Sequence, residues 1–207
     1  YFTSRRLQNE KDRRNPFDNK FFEDIYFARF DEGRWSDAQR MGIPLNAKKN
    51  KTNNSAVALS VDDRKTFLYA GRRHSGDILT SERVMETWSR PKPLQGKLNS
   101  KSLETSLCLT KDGNTMYFIS DNKKTTLGGT DIFVSERLPD GKWSKPANIG
   151  NLLNTAYDEA AVRLSENDSI LFFSSKGHKS MGGYDIFRSE KLPGGLWSQP
   201  ENIGYPI

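Results

Sequence analysis

The sequence is poor in the residues that most often carry chemistry, since its 207 residues include one cysteine and two histidines. With Cys108 alone, no disulfide can form within the chain, and the cysteine content does not distinguish an oxidising from a reducing compartment. No apolar run approaches the roughly 20 residues that a transmembrane helix needs. Only 34% of the residues are hydrophobic, and the mean hydropathy is −0.77, which leaves little material for a thick core.

The chain does contain many aromatic residues, 11% of the total, and some of them recur at a fixed spacing. All four tryptophans precede a serine, at intervals of 53, 55 and 54 residues. An Asp-Ile pair keeps the same period, at intervals of 53, 54 and 54. Two independent markers with one period indicate four copies of one structural unit. The markers are Trp35, Trp88, Trp143 and Trp197, and Asp24, Asp77, Asp131 and Asp185.

The last copy shows the unit most clearly. Alternating or apolar segments at 160–165, 170–175 and 184–190 predict three strands, and 196–198 begins a fourth. Turn residues separate them, and no segment has a helical period. Four short antiparallel strands in about 54 residues are typical of a β-propeller blade, whereas an ordinary β-sandwich does not repeat its markers.

The sequence therefore predicts an all-β fold, a propeller of four-stranded antiparallel blades. The expected segments are 1–46 for blade 1, which lacks its first strand, 47–99 for blade 2, 100–154 for blade 3 and 155–207 for blade 4. A closed ring removes sheet edges, and an open arc exposes them. We therefore expect these blades to belong to a longer ring, with closure among the four as the alternative.

The repeated residues are interpreted as scaffold. Each Trp follows a hairpin turn, where its ring can wedge between neighbouring blades. Each Asp begins a third strand, where its carboxylate can accept backbone N–H groups from the preceding loop. In blades 3 and 4 that loop contains Gly128-Gly129 and Gly182-Gly183, which supply backbone angles that other residues resist.

Two stretches, KDGNTMYFISDNKKTTLGGTDIF and ENDSILFFSSKGHKSMGGYDIF, resemble the WD40-like propeller repeat of the periplasmic TolB protein and of OmpA-family lipoproteins in Bacteroidetes. The following GKWSKPANIGNLLNT and GLWSQPENIGYPI are similar to the Bacteroidetes branch, including the PorE-like component of the type IX secretion system. The resemblance implies a six-bladed ring and a non-enzymatic interaction module. It also implies a periplasmic place at the outer membrane, with peptidoglycan held through a companion domain.

Charge divides between the two predicted faces. The turns that join strands 1–2 and 3–4 carry six Lys or Arg and nine Asp or Glu. The loops that join strands 2–3 lie on the other face with the crossovers between blades. At 5–19, 72–76, 121–130 and 175–184 they carry eleven Lys or Arg and four acids.

We expect this basic face to dock an acidic envelope protein or peptide, because Arg and Lys pair with carboxylates and Arg can bind both oxygens. The alternative is that the loops are lysine-rich only because they are solvated. The candidate partner-binding residues are Arg5, Arg6, Arg13, Arg14, Arg72, Arg73, His74, Lys123, Lys124, Lys176, His178 and Lys179.

Three other functions are weaker candidates. A propeller glycosidase needs two carboxylates across a cleft, one for each catalytic role. The repeated Asp residues are equivalent to one another, so they do not supply two different roles. No metal site is expected, because His74 and His178 lack metal-ligand spacing, and no cofactor motif occurs. Nucleic-acid binding would require exposed aromatic residues among the arginines, but the aromatic residues lie in the predicted strands. Glycan or peptidoglycan binding would use Tyr157 and Tyr184, which we expect to pack between blades instead.

Overall fold

The computed structural model describes residues 1–6, 14, 19–46, 53–60, 62–71 and 76–204. Every regular element in these ranges is a β-strand, and the sheets are small and antiparallel. The predicted fold class, an all-β propeller of four-stranded blades, is confirmed. The chain divides into two compact units, Tyr1–Leu94 (unit 1) and Gln95–Ile207 (unit 2).

Unit 1 contains blades 1 and 2. Blade 1 has the sheet order β1-β2-β5 and a separate hairpin β3-β4, and blade 2 has the order β10-β8-β7-β6, with β9 also paired to β8. As predicted, the N-terminal residues form a second strand of the blade, with Phe2 opposite Tyr26. The strands are β1 (Phe2–Ser4), β2 (Asp24–Phe27), β3 (Phe30–Asp31), β4 (Arg34–Trp35), β5 (Gln39–Arg40), β6 (Asn53–Leu59), β7 (Lys65–Gly71), β8 (Gly76–Val84), β9 (Thr87–Trp88) and β10 (Lys92–Pro93).

Unit 2 contains blades 3 and 4, with sheet orders β11-β12-β13-β14 and β15-β16-β17-β18. Its core lies between the facing sides of the two sheets. Blade 3 contributes Cys108, Tyr117 and Ile132, and blade 4 contributes Phe173 and Phe187, among others. The strands are β11 (Glu104–Leu109), β12 (Thr115–Ser120), β13 (Asp131–Glu136), β14 (Ala147–Asn148), β15 (Glu159–Leu164), β16 (Ile170–Ser175), β17 (Asp185–Glu190) and β18 (Glu201–Asn202).

The fourth strand begins later than the sequence predicts. In blade 4 it is Glu201–Asn202, and Trp197 makes only an isolated bridge with Lys191. The reason is local, because Pro200 has no N–H to donate to a ladder and separates the tryptophan from the strand. The predicted start of this strand, residue 196, is therefore five residues too early.

The serine after each tryptophan closes the hairpin that follows strand 3. Its hydroxyl oxygen accepts a hydrogen bond from the backbone N–H of a residue at the end of that strand, at 2.9–3.0 Å in all four blades. The serine N–H also donates to the carbonyl of the same residue, at 2.8 Å. In each Trp-Ser pair, the serine therefore stabilises the hairpin by hydrogen bonds, and the tryptophan supplies the ring for packing. The pairs are Ser36 with Arg29, Ser89 with Glu82, Ser144 with Glu136 and Ser198 with Glu190.

Three of the four tryptophans are buried, and two of these lie edge-on to an aromatic ring of the preceding blade. Trp88 meets Tyr1 at 6.2 Å between ring centroids, and Trp197 meets Tyr117 at 5.9 Å. Trp35 is 70% exposed and contacts Phe30 of its own blade instead. The expectation of a wedge between blades is therefore wrong for Trp35, whose ring packs within its own hairpin β3-β4.

A Leu-Asn pair in the crossovers is a third marker of the repeat. It occurs at intervals of 53 and 55 residues, and all three leucines, Leu45, Leu98 and Leu153, are buried. The Asn154 side chain accepts from the Ile132 N–H at 2.8 Å and donates to the Ile132 carbonyl at 2.9 Å. In blade 1, Asn46 binds Ile25 in the same way, at 2.8 and 2.9 Å.

The tryptophan environments predict a large difference between two otherwise equivalent substitutions. Trp197→Ala removes a buried ring and should lower the free energy of unfolding by about 3–5 kcal/mol. Trp35→Ala removes an exposed ring that makes one aromatic contact, and should cost below about 1 kcal/mol. Urea unfolding followed by circular dichroism measures both. Equal losses in the two variants would contradict the assignment of Trp197 to the core between blades.

Candidate functional site

In unit 2 the strand 2–3 loops and the crossover lie together, as the topology predicts. Thr130 donates its hydroxyl to the Glu159 carbonyl at 2.6 Å, and the Glu159 N–H donates to the Thr130 carbonyl at 2.8 Å. Gly128 lies so close to the crossover that an added Cβ would be 2.0 Å from the Tyr157 carbonyl oxygen. We call loops 121–130 and 176–184 with crossover 149–158 the loop face of unit 2.

The aspartates that begin the third strands of unit 2 bind the backbone of the preceding loops, as interpreted from the sequence. Asp131 accepts from the Leu127 N–H at 2.7 Å and from the Asn148 side chain at 2.6 Å. Asp185 accepts from the Met181 N–H and from the Asn202 side chain. These carboxylates hold the preceding loops in place.

The other two aspartates of the repeat have different partners. Asp24 is buried and forms an ion pair with Arg40, at 2.7 Å, at the position that Asn148 occupies in blade 3. In blade 2 that position is Pro93, which has no side-chain donor, and Asp77 is exposed. Asp77 therefore has no side-chain donor at this position, and the loop before it, 72–75, lies outside the described residues.

The remaining acids of the loop face are also engaged. Asp121 accepts from the Leu103 N–H at 2.6 Å. Asp158 pairs with Lys176, with 2.7 Å between the carboxylate oxygen and Nζ. The hydrogen bond that Lys176 donates to Asp158 raises the pKa of Lys176, whose Nζ also lies 4.7 Å from the centre of the Tyr184 ring.

Three predicted cations of the loop face have no such partner. Lys123, Lys124 and Lys179 are exposed, and none forms an ion pair with any residue whose position is described. Since the nearby carboxylates are bound internally, these three ammonium groups dominate the charge of this surface.

The predicted cations of blade 1 lie in other settings. Arg5 forms an ion pair with Glu23 at 2.9 Å. Arg6 lies over the rings of Phe2 and Tyr26, and Arg14 donates to the Asn19 carbonyl and lies over the Phe21 ring. Much of the predicted basic surface in unit 1 falls outside the described residues, namely Arg13, Arg72, Arg73 and His74.

A cleft of about 550 Å³ opens on the loop face of unit 2. One of its walls is His178, whose ring packs against Phe173 and Phe187, with centroids 5.8 and 5.1 Å away. His178 Nε2 lies 3.0 Å from the Leu153 carbonyl oxygen, which can only accept, so Nε2 carries a proton. The lining residues are Leu127, Asn151, Leu152, Asn154, Thr155, Ala156, His178 and Gln199.

Large apolar side chains are exposed beside this cleft, which the sequence interpretation missed. Tyr157 is 63% exposed and Tyr184 is 46% exposed, so the expectation that both pack between blades is wrong. Tyr157 lies in the crossover and Tyr184 at the end of a loop, outside the strands whose side chains pack between the blades. Leu127, Leu152 and Met181 are exposed as well.

Two buried glutamates at the start of the first strands were also missed. Glu159 is fully buried and accepts hydrogen bonds from the hydroxyls of Ser175 and Thr155, both at 2.8 Å. Glu104 is placed in the same way, with Ser100 at 2.6 Å. Their spacing of 55 residues was the available signal.

Burial raises the pKa of Glu159 from its usual value of 4.5 to about 7, against the effect of the hydrogen bonds. Such a pKa suits a general acid or base, but this carboxyl has no surface that a substrate could reach. Burial likewise raises the pKa of the Cys108 thiol to about 12, which makes it a poor nucleophile. No group of three or more His, Cys, Asp or Glu side chains in the described part is arranged to hold a metal ion.

Comparison with solved structures shows a likeness to other proteins at the level of the fold. A candidate 6-phosphogluconolactonase from Bacteroides uniformis has a solved structure that is similar to 88% of this chain, with 14% identity and a TM-score of 0.45. The chain spans 52% of the length of that protein. No family model and no curated protein sequence matches the chain. No helix in the described ranges is long and apolar enough to cross a membrane.

The raised pKa of Glu159 predicts a specific pH dependence of stability. The folded protein holds this proton at pH values where the unfolded chain has lost it, so the free energy of unfolding should fall as pH rises from 4.5 to about 7. We expect a fall of about 1–3 kcal/mol from this group. Glu159→Gln keeps the shape without ionising and should remove that part of the slope. Urea unfolding at pH 5 and pH 8 measures it, and identical slopes would contradict the assignment.

Proposed function

We propose that this protein is a non-catalytic interaction scaffold that docks an acidic partner protein on its basic loop face. The observation that carries the proposal is the separation of roles among the charged residues of unit 2. Lys123, Lys124 and Lys179 are exposed without an ion pair among the described residues, whereas the aspartates around them are bound to loop backbone or to Lys176. Exposed ammonium groups of one sign attract carboxylates and speed their encounter.

The absence of catalysis is part of the same proposal. A glycosidase requires two accessible carboxylates a few ångströms apart across a cleft. On the loop face of unit 2, Asp131 and Asp185 are held by backbone donors, and Glu159 is fully buried. These groups are already used for structure, which supports binding over hydrolysis.

We propose the bacterial cell envelope as the location, in the periplasm and associated with the outer membrane. The support is the resemblance of the repeat to envelope propellers. A companion domain would then supply the anchor or the peptidoglycan contact, and the propeller would supply the protein contact.

A charge-reversal experiment tests the docking surface. Lys123→Glu with Lys124→Glu should weaken capture of the partner at least tenfold, because two unpaired cations become anions that repel it. The matched control is Lys111→Glu with Lys142→Glu, which makes the same change of charge in the turns of the same blade. The measurement is quantitative mass spectrometry of proteins pulled down from envelope extract at low and at physiological salt. Equal recovery with both double variants would overturn the proposal.

Glycan binding is the second candidate, and the exposed tyrosines favour it. Tyr157 and Tyr184 present rings on the loop face, where a sugar could stack. If sugars bind there, Tyr157→Ala with Tyr184→Ala should abolish binding to a glycan array that includes peptidoglycan fragments. Trp35→Ala, which removes an exposed ring of unit 1, is the control. An array without signal for the unmodified protein would remove this candidate.

A further inference from the structure

The cleft in the loop face of unit 2 is lined by both apolar and polar side chains. Leu127, Leu152 and Ala156 supply the apolar part, and all three are exposed. Asn151, Thr155 and Gln199 are among its polar lining residues. A cleft of about 550 Å³ with this mixture can take a large apolar side chain while the backbone that carries it meets side-chain amide groups.

The walls of the cleft are preformed. His178 is fixed by its hydrogen bond to the Leu153 carbonyl and by the buried rings beneath it. The chain before it is also in place, because a Cβ on Gly177 would lie 2.2 Å from the Thr155 hydroxyl oxygen. A ligand that enters this cleft therefore does not have to order it first, which favours affinity.

Free cations stand close to the cleft in both loops that form it. Lys123 and Lys124 lie in the loop that presents Leu127, and Lys179 directly follows His178. None of the three forms an ion pair with a described residue. An acidic segment is thus the chemistry that complements the surroundings of the apolar surface.

We infer that this cleft holds an apolar side chain, such as Leu or Phe, from an acidic and extended segment of the partner protein. The inference depends on the proposed docking of an acidic partner and adds to it a defined anchor. In this arrangement the lysines attract and orient the segment. The buried anchor then slows its release, as central apolar contacts do in other interfaces.

Labelled ten-residue peptides test the anchor directly. Three peptides share flanks of Asp, Glu, Gly and Ser and differ at one central residue, Phe, Leu or Ser. A fourth has central Phe with Asn and Gln in place of the acids. Fluorescence polarisation measures their Kd for the unmodified protein, for Ala156→Phe, which fills the cleft, and for Ala147→Phe, which adds the same ring to an exposed position on β14.

The Kd of the acidic Phe and Leu peptides should be about tenfold or more below that of the acidic Ser peptide, because burial of one large apolar side chain typically contributes that much to affinity. Ala156→Phe should remove that difference, and Ala147→Phe should preserve it. Binding that follows the acids but ignores the anchor and Ala156→Phe would overturn the inference and leave acidic docking intact. Binding of the neutral Phe peptide as tight as its acidic counterpart would overturn both. No binding by any peptide would overturn the anchored mode, while the charge-reversal experiment still decides docking.

Discussion

The third strand of blade 3 is anchored by side chains at both of its ends. At one end of β13, Asp131 binds the loop that precedes the strand and Asn154 binds both backbone polar groups of Ile132. At the other end, Ser144 binds the backbone of Glu136. A sheet of four short strands has few ladder hydrogen bonds, so side chains must satisfy the polar groups where the ladder stops. The repeat markers are the residues that do this.

This requirement explains how the protein divides its charges. Carboxylates are well suited to bind several backbone N–H groups, and the loop face of unit 2 uses Asp121, Asp131 and Asp185 in that way. Lysine cannot accept a hydrogen bond and so cannot replace them. The cations of the same loops consequently stay in solvent, and the surface is basic even where the loop sequences contain acids.

The periodic part of the structure could be predicted from the sequence, and the part that differs between blades could not. Equal spacing of Trp-Ser and Asp-Ile fixes the strand order, because each copy must fold alike. The same equality misleads at Trp35, which is exposed although the other three tryptophans are buried, and at Asp77, where Pro93 stands in place of a side-chain donor. The exposure of Tyr157 and Tyr184 could not be predicted in the same way, because the repeat period does not determine whether a side chain outside the strands points inwards or to solvent.

The buried anchoring residues are distinct from the residues of the loop surface. Substitutions in the loop surface can therefore change binding with little loss of stability. Glu159, Asp131 and Asn154 are buried, and replacing any of them would leave a polar group without its partner. Lys123 and Lys179 are exposed and form no ion pair with a described residue, so a different side chain there alters the surface without disturbing the sheet. A repeat that places its structural hydrogen bonds beneath the loops can therefore present a different surface from every blade. The cleft beside His178 is one such surface, formed where the loops of two adjacent blades meet the crossover between them.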